Sequence, residues 1–71
     1  MENRSWYLEG YKNYRIDRNV DAMAELSIMS HERLSGRTMS DSEIRGAKHL
    51  YKEGWAAALR NERHMAQKET D

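Results

Sequence analysis

No cysteine occurs anywhere in the 71 residues, and no proline or phenylalanine. The first absence excludes a disulfide-stapled scaffold and any thiolate zinc site. The second, with only four glycines, removes the usual helix breakers and favours helix. Long apolar runs are missing too: nothing approaches the ~20 residues of a membrane-spanning helix. Met1-Glu2-Asn3-Arg4-Ser5 leads into no apolar stretch of the kind a secretory signal carries, so a cytoplasmic location is expected. Neither sign of charge is in excess. Lys+Arg and Asp+Glu number 12 each. Neutrality counts against non-specific phosphate binding, which is usual in net-basic domains.

Aliphatic side chains are scarce. Leu, Ile and Val total nine: Leu8, Ile16, Val20, Leu26, Ile28, Leu34, Ile44, Leu50 and Leu59. Zero net charge argues against disorder. Two Trp, four Tyr and five Met replace some of the missing volume. A buried aromatic removes on the order of 150–250 Å² from water. Even so, a chain this short buries a modest fraction of its surface and is marginal alone. With no disulfide to help, association is the remedy. A homodimer, or firm folding on a larger protein partner, is expected.

Strict alternation is absent and β-branched residues are few, which excludes a sheet and leaves an all-α chain. Ser40-Asp41-Ser42-Glu43 fits the capping box of a helix running from about Asp41 to Ala66. Ile44, Ala47, Tyr51, Gly54/Trp55 and Ala58 then form one stripe, with Leu50 and Leu59 beside it. A second helix is expected from Asp17 or Asn19 to Leu34, stopped at Ser35-Gly36. Its broad apolar face is Ile16, Val20, Met23, Ala24, Leu26 and Leu34. Ile28 and Met29 fall off that face. A first helix, about Arg4 to Tyr14, aligns Tyr7, Tyr11 and Tyr14. That face lies opposite the face of Ile16 and Val20, so a break is expected near residues 16–19. The fold reading is a helical hairpin, 17–34 against 41–66, with the short aromatic helix 4–14 packed across it. The loop is 35–40, and 67–71 fray.

One pattern recurs. Tyr7-Leu8-Glu9-Gly10-Tyr11 and Tyr51-Lys52-Glu53-Gly54-Trp55 both read Tyr-x-Glu-Gly-aromatic. A glycine inside a helix costs about 1 kcal/mol relative to alanine. Two of them mark either a close helix crossing at Gly10, Tyr11, Gly54 and Trp55, or a coincidence of five residues. Gly54-Trp55, preceded by Arg45 and followed by an Ala-rich basic stretch, resembles the end of the ribosome modulation factor family. That family has an early Gly-aromatic element and a late Gly-Trp element. Its Cys-Pro element is absent here, and the two elements are further apart. The resemblance implies an association with ribosomes or nucleic acid.

Catalytic signatures are lacking. His31, His49 and His64 form no i,i+4 pair and no H-E-x-x-H, so neither metal nor cofactor is expected. No serine lies in a G-x-S-x-G context. Paired carboxylates need a pocket, which a short helical hairpin rarely encloses. No enzyme and no small-molecule substrate are expected.

Charge is segregated instead. Asp17, Asp21, Glu25 and Glu32 form an acidic stripe on the second helix. Arg45, Lys48, Lys52, Arg60 and Arg63 form a basic face on the last. Each is either an electrostatic docking face or the solvated side of an amphipathic helix. Arg4, Trp6, Arg15, Ile28 and Met29 are the candidate partner anchors, since Trp and Arg are enriched at hot spots. Tyr7, Tyr11 and Tyr14 are expected to pack onto the last helix in place of the missing Leu, whereas Trp6, about 100° off their face, is expected to be exposed. The function read from these features is non-catalytic: a small regulator or inhibitor binding a larger protein stoichiometrically. The alternative is a ribosome- or nucleic-acid-associated factor using the basic face.

Overall fold

The computed structural model of the chain describes residues 5–69, with side chains up to residue 63. It contains three helices, α1 (Trp6–Asn13), α2 (Val20–Ser35) and α3 (Asp41–Glu69). Among the described residues there is no strand. Each helix starts where a side chain can serve the orphan backbone N–H groups of a first turn. The Ser5 hydroxyl accepts from the Leu8 amide of α1. Asn19, rather than Asp17, caps α2 by accepting from the Ala22 amide at 3.1 Å. Ser40 and Glu43 form the full reciprocal box. The Glu43 amide donates to Ser40 Oγ at 3.2 Å, and the Ser40 amide to Glu43 Oε1 at 2.9 Å.

The chain leaves α2 through Gly36, at φ 71, whose amide donates to the Glu32 carbonyl. Glycine adopts this left-handed conformation without the Cβ penalty. The Glu32 carboxylate then accepts from the Met39 amide at 2.8 Å, closing the loop onto the end of α2. Between α1 and α2 the break expected near 16–19 is a tight turn: the Arg18 amide donates to the Arg15 carbonyl at 3.2 Å. At the other end α3 runs past Ala66 to Glu69, through residues expected to fray.

α2 and α3 form the hairpin, and α1 packs across it, chiefly on α3. The fully buried apolar set is small: Ala24, Ile28, Ala47, Tyr51, Trp55 and Ala58. Three of the six are alanines, so helix backbones come close and the rings fill what remains. Tyr51 stacks on Trp55 with centroids 6.1 Å apart, and Tyr14 meets Trp55 edge-on at 5.4 Å. Trp6, Tyr14, Val20 and Met23 pack around this cluster.

The expected inward face of α2 needs correction. Ile28 is buried at 5% exposure, whereas Leu26, Leu34 and Ile16 stand at 59%, 79% and 78%. The reason is angular: at about 100° per residue Leu26 stands about 160° from both Ala24 and Ile28, so it cannot share their face. With Asn19 as cap, Ile16 lies outside α2 and contributes nothing to its face. The stripe then centres on Ala24 and Ile28, with Val20 beside them. Ala24 is small enough to let Tyr51 and Trp55 approach.

Candidate functional site

The glycine pattern sits where the backbones of α1 and α3 touch. A Cβ placed on Gly10 would strike the Tyr51 carbonyl, with the carbonyl carbon at 2.8 Å. A Cβ on Gly54 would strike the Tyr7 carbonyl, again with the carbon at 2.8 Å, and the Tyr11 amide nitrogen at 3.0 Å. The contact is reciprocal. Each glycine lies on the backbone of the tyrosine that opens the other Tyr-x-Glu-Gly element. Two long-range hydrogen bonds flank the crossing. Asn13 Nδ2 donates to the Tyr51 hydroxyl at 3.2 Å, and Asn61 Nδ2 to the Tyr11 hydroxyl at 3.0 Å. Nothing in the sequence singled out these asparagines, because their partners lie 38 and 50 residues away.

Clamping α1 in this way decides which of its side chains face water. Gly10 is turned inward and buried. Tyr7, Leu8 and Tyr11 are left 40%, 53% and 38% exposed, and Leu50 of α3 is 45% exposed. The aromatics of α1 pack against the hairpin as expected, but their shares of burial differ from the expected ones. Trp6, expected in solvent, is partly buried and meets His31 edge-on at 5.4 Å. Tyr7 and Tyr11 are part-covered and part-exposed, and their open edges form an outer apolar face with Leu8 and Leu50. The glycine, not the rings, takes the contact position, and the rings fall to either side of it. Tyr14, beyond the end of α1, packs inward as expected.

The Tyr14 hydroxyl oxygen is buried without a partner at hydrogen-bonding geometry. Loss of water raises its pKa above the usual 10.0. The neighbouring Glu62 carboxylate adds to this and Arg63 opposes it.

The charged stripes meet each other. Lys52 Nζ lies 2.6 Å from Asp21 Oδ1, and Lys48 Nζ 3.8 Å from Glu25 Oε2. The hydrogen bond from Lys52, with its charge, holds the Asp21 carboxyl below its ordinary value. Two of the five basic-face residues thus serve as the inner partners of α2. Arg45, Arg60 and Arg63 are exposed. Of the other candidate anchors, Arg15 is exposed in the turn after α1 and donates to the Tyr14 carbonyl at 3.1 Å. Met29 is 54% exposed on α2. Ile28 belongs to the core and is withdrawn from the partner-facing set. Arg4 lies outside the described residues, as do the side chains of His64 and Lys68.

Between α2 and the start of α3 lies an open cleft of about 230 Å³. Ile28, Met29 and Ile44 line it, with Glu25, Glu32 and Lys48 around them. Among the described residues no group of three His, Asp or Glu could hold a metal ion, and no helix is long and apolar enough to cross a membrane. Comparison with known protein families, with curated proteins and with solved structures finds no match to this chain.

Proposed function

We propose that this protein is a non-catalytic regulator that binds a larger protein and modulates or inhibits it stoichiometrically, acting as a homodimer. One observation carries the reading. An eight-residue helix, α1, is fixed by backbone contact at two glycines so that Tyr7, Leu8 and Tyr11 face outward. A helix this short is unstable alone. Here the crossing immobilises it in advance, so a partner meets a rigid aromatic surface and little ordering entropy is lost on docking. Tyrosine is among the residue types that dominate binding energy at interfaces. Leu50 extends the apolar area onto α3.

The ribosome or nucleic-acid reading has less support. It needs Lys48 and Lys52 turned toward phosphate, and both are turned toward α2 carboxylates. The test is capture from host extract by the tagged full-length chain, with and without nuclease. A protein partner that survives nuclease, and is lost with Tyr7→Ala/Leu8→Ala while Arg60→Ala/Arg63→Ala retains it, supports the proposal. Capture that vanishes on nuclease treatment and falls log-linearly with salt overturns it, because that is the signature of counterion release from phosphates.

A further inference from the structure

The turn between α1 and α2 carries an unusual residue at its tip. Arg15-Ile16-Asp17-Arg18 is closed by the Arg18 amide donating to the Arg15 carbonyl, which puts Ile16 at the second position of a tight turn. Such positions favour Pro, Asn, Asp, Ser and Gly, each for a backbone reason that isoleucine does not share. Ile16 is 78% exposed. It gains nothing from the single chain, yet the turn holds it out as a fixed apolar knob between two arginines.

The complement of this knob lies on the same molecule. The cleft between α2 and α3 offers Ile28, Met29 and Ile44, with two carboxylates, Glu25 and Glu32, against one ammonium, Lys48. The turn offers two guanidiniums against one carboxylate. The Glu25–Lys48 pair is long at 3.8 Å, and the Glu32 carboxylate is engaged by the Met39 amide at 2.8 Å. Carboxylates accept through several lone pairs, so both keep capacity for an incoming guanidinium.

We infer that a second copy of this chain occupies the cleft, each copy placing Ile16 against Met29 and Ile44 of the other, above a floor closed by the buried Ile28, with Arg15 and Arg18 facing Glu25 and Glu32. This rests on the self-association proposed above and assigns its surfaces. The knob lies in the turn that leads into α2, and the cleft lies along the border of α2 with α3. An antiparallel pairing of the two α2 helices therefore makes both exchanges at once and closes on itself, as a twofold dimer must. Ala22 and Leu26, both exposed on α2, lie between knob and cleft. The small side chain of Ala22 permits close approach. A stable interface needs roughly 800 Å² from each partner. The chain exposes 5653 Å² in all, and four of its eight large exposed hydrophobics, Ile16, Leu26, Met29 and Leu34, lie on α2 or immediately before it.

Sedimentation equilibrium of the intact chain tests the inference, with circular dichroism confirming that each variant folds. A dimer is expected for the wild-type chain. Ile16→Glu replaces an exposed side chain, so helicity should be unchanged while the dimer weakens by about thirtyfold or more, the size of a hot-spot loss. Arg18→Glu and Glu25→Arg should each weaken it, and an equimolar mixture of the two should recover the dimer. A dimer that persists with Ile16→Glu overturns the assigned interface and leaves self-association standing. A wild-type chain that stays monomeric at millimolar concentration overturns both. Assembly that grows beyond two with concentration overturns the reciprocal exchange, because an unclosed contact makes chains.

Discussion

Gly10 and Gly54 each rest on the backbone of the tyrosine three positions before the other, Gly10 on Tyr51 and Gly54 on Tyr7. Helix propensity alone says that alanine should stabilise both positions by about 1 kcal/mol. Sterics oppose it, because the obstructing atoms are backbone carbonyls that cannot rotate away. Overpacking of this kind costs typically about 1–3 kcal/mol, and the forced separation of α1 also exposes Tyr51. Gly10→Ala and Gly54→Ala should each lower the urea midpoint. Gly46 provides the internal control: it lies within α3 with open space around it. Gly46→Ala should raise stability by about 0.5–1 kcal/mol. If all three variants moved in the same direction, the crossing would not be under the steric constraint described.

The two inward-facing tyrosines should answer oppositely to loss of the hydroxyl. Tyr51 is fully buried and its hydroxyl accepts from Asn13. Tyr51→Phe leaves the Asn13 amide short of a partner and should cost about 1 kcal/mol. The Tyr14 hydroxyl has no hydrogen-bond partner in its buried site, so Tyr14→Phe should be neutral or stabilising. Alkaline pH separates them further. The folded-state pKa of Tyr14 is raised, first by desolvation and then by Glu62. Its contribution to stability is therefore full below the ordinary value of 10.0 and is lost as pH rises through the higher folded value. Denaturation midpoints above pH 10 should fall less steeply for Tyr14→Phe than for the wild-type chain.

What the sequence made legible follows the range over which each signal acts. Caps are local, and Ser40, Glu43 and Gly36 behave as their neighbours dictate. The stripe of α3 is also local, since Ala47, Tyr51, Trp55 and Ala58 lie on one helix and share one partner surface. The inward face of α2 differs from the expected one because it follows the i, i+4, i+8 row of Val20, Ala24 and Ile28, where a small alanine rather than Leu26 or Leu34 marks the contact. Trp6 is covered although it lies off the tyrosine face, because that face does not by itself define which side of α1 meets the hairpin. At a crossing where backbones touch, the residue turned inward is the smallest, and the flanking rings are displaced. Asn13 and Asn61 left no local signal, since each acts on a helix far away in sequence. The exposed knob at Ile16 was visible only as an apolar residue, and its meaning depends on the turn that presents it.

The start of α3 should carry a measurable acid dependence. The Glu43 carboxylate accepts from the Ser40 amide and from the Ser40 hydroxyl, and these hydrogen bonds hold it below the ordinary value of 4.5, with Arg37 and His31 adding to the effect. A lowered folded-state pKa contributes stability that is present above the unfolded value and lost as pH falls through the folded one. Asp21, lowered from 3.8 by Lys52, adds to the same limb. Stability should thus decline below about pH 4.5, with the decline shallower in Glu43→Gln. Glutamine keeps the reciprocal cap but cannot titrate. Ser40→Ala removes the other half of the box and should cost about 1 kcal/mol at neutral pH, read from thermal or urea unfolding.

Charge reversal on α3 should separate the side of the helix that holds the fold from the side that faces solvent. Lys52→Glu places a carboxylate near Asp21, where an ammonium now sits at 2.6 Å, and exchanges an attraction across the α2–α3 seam for a repulsion, a modest change for so exposed a pair. Arg60→Glu changes a residue that is exposed beyond the α2 contact. The first variant should be less stable than the second, and its deficit should shrink with added salt, because both partners are solvent-accessible and screening acts on them. Asp21→Lys combined with Lys52→Glu restores the pair in the opposite sense and should recover much of the loss. A docking face for phosphate predicts no such order. In that case Lys52→Glu and Arg60→Glu would leave stability alike and would differ only in binding. Measuring unfolding midpoints for the three variants at low and high salt distinguishes the two, and equal stabilities at low salt would return Lys52 to the docking face.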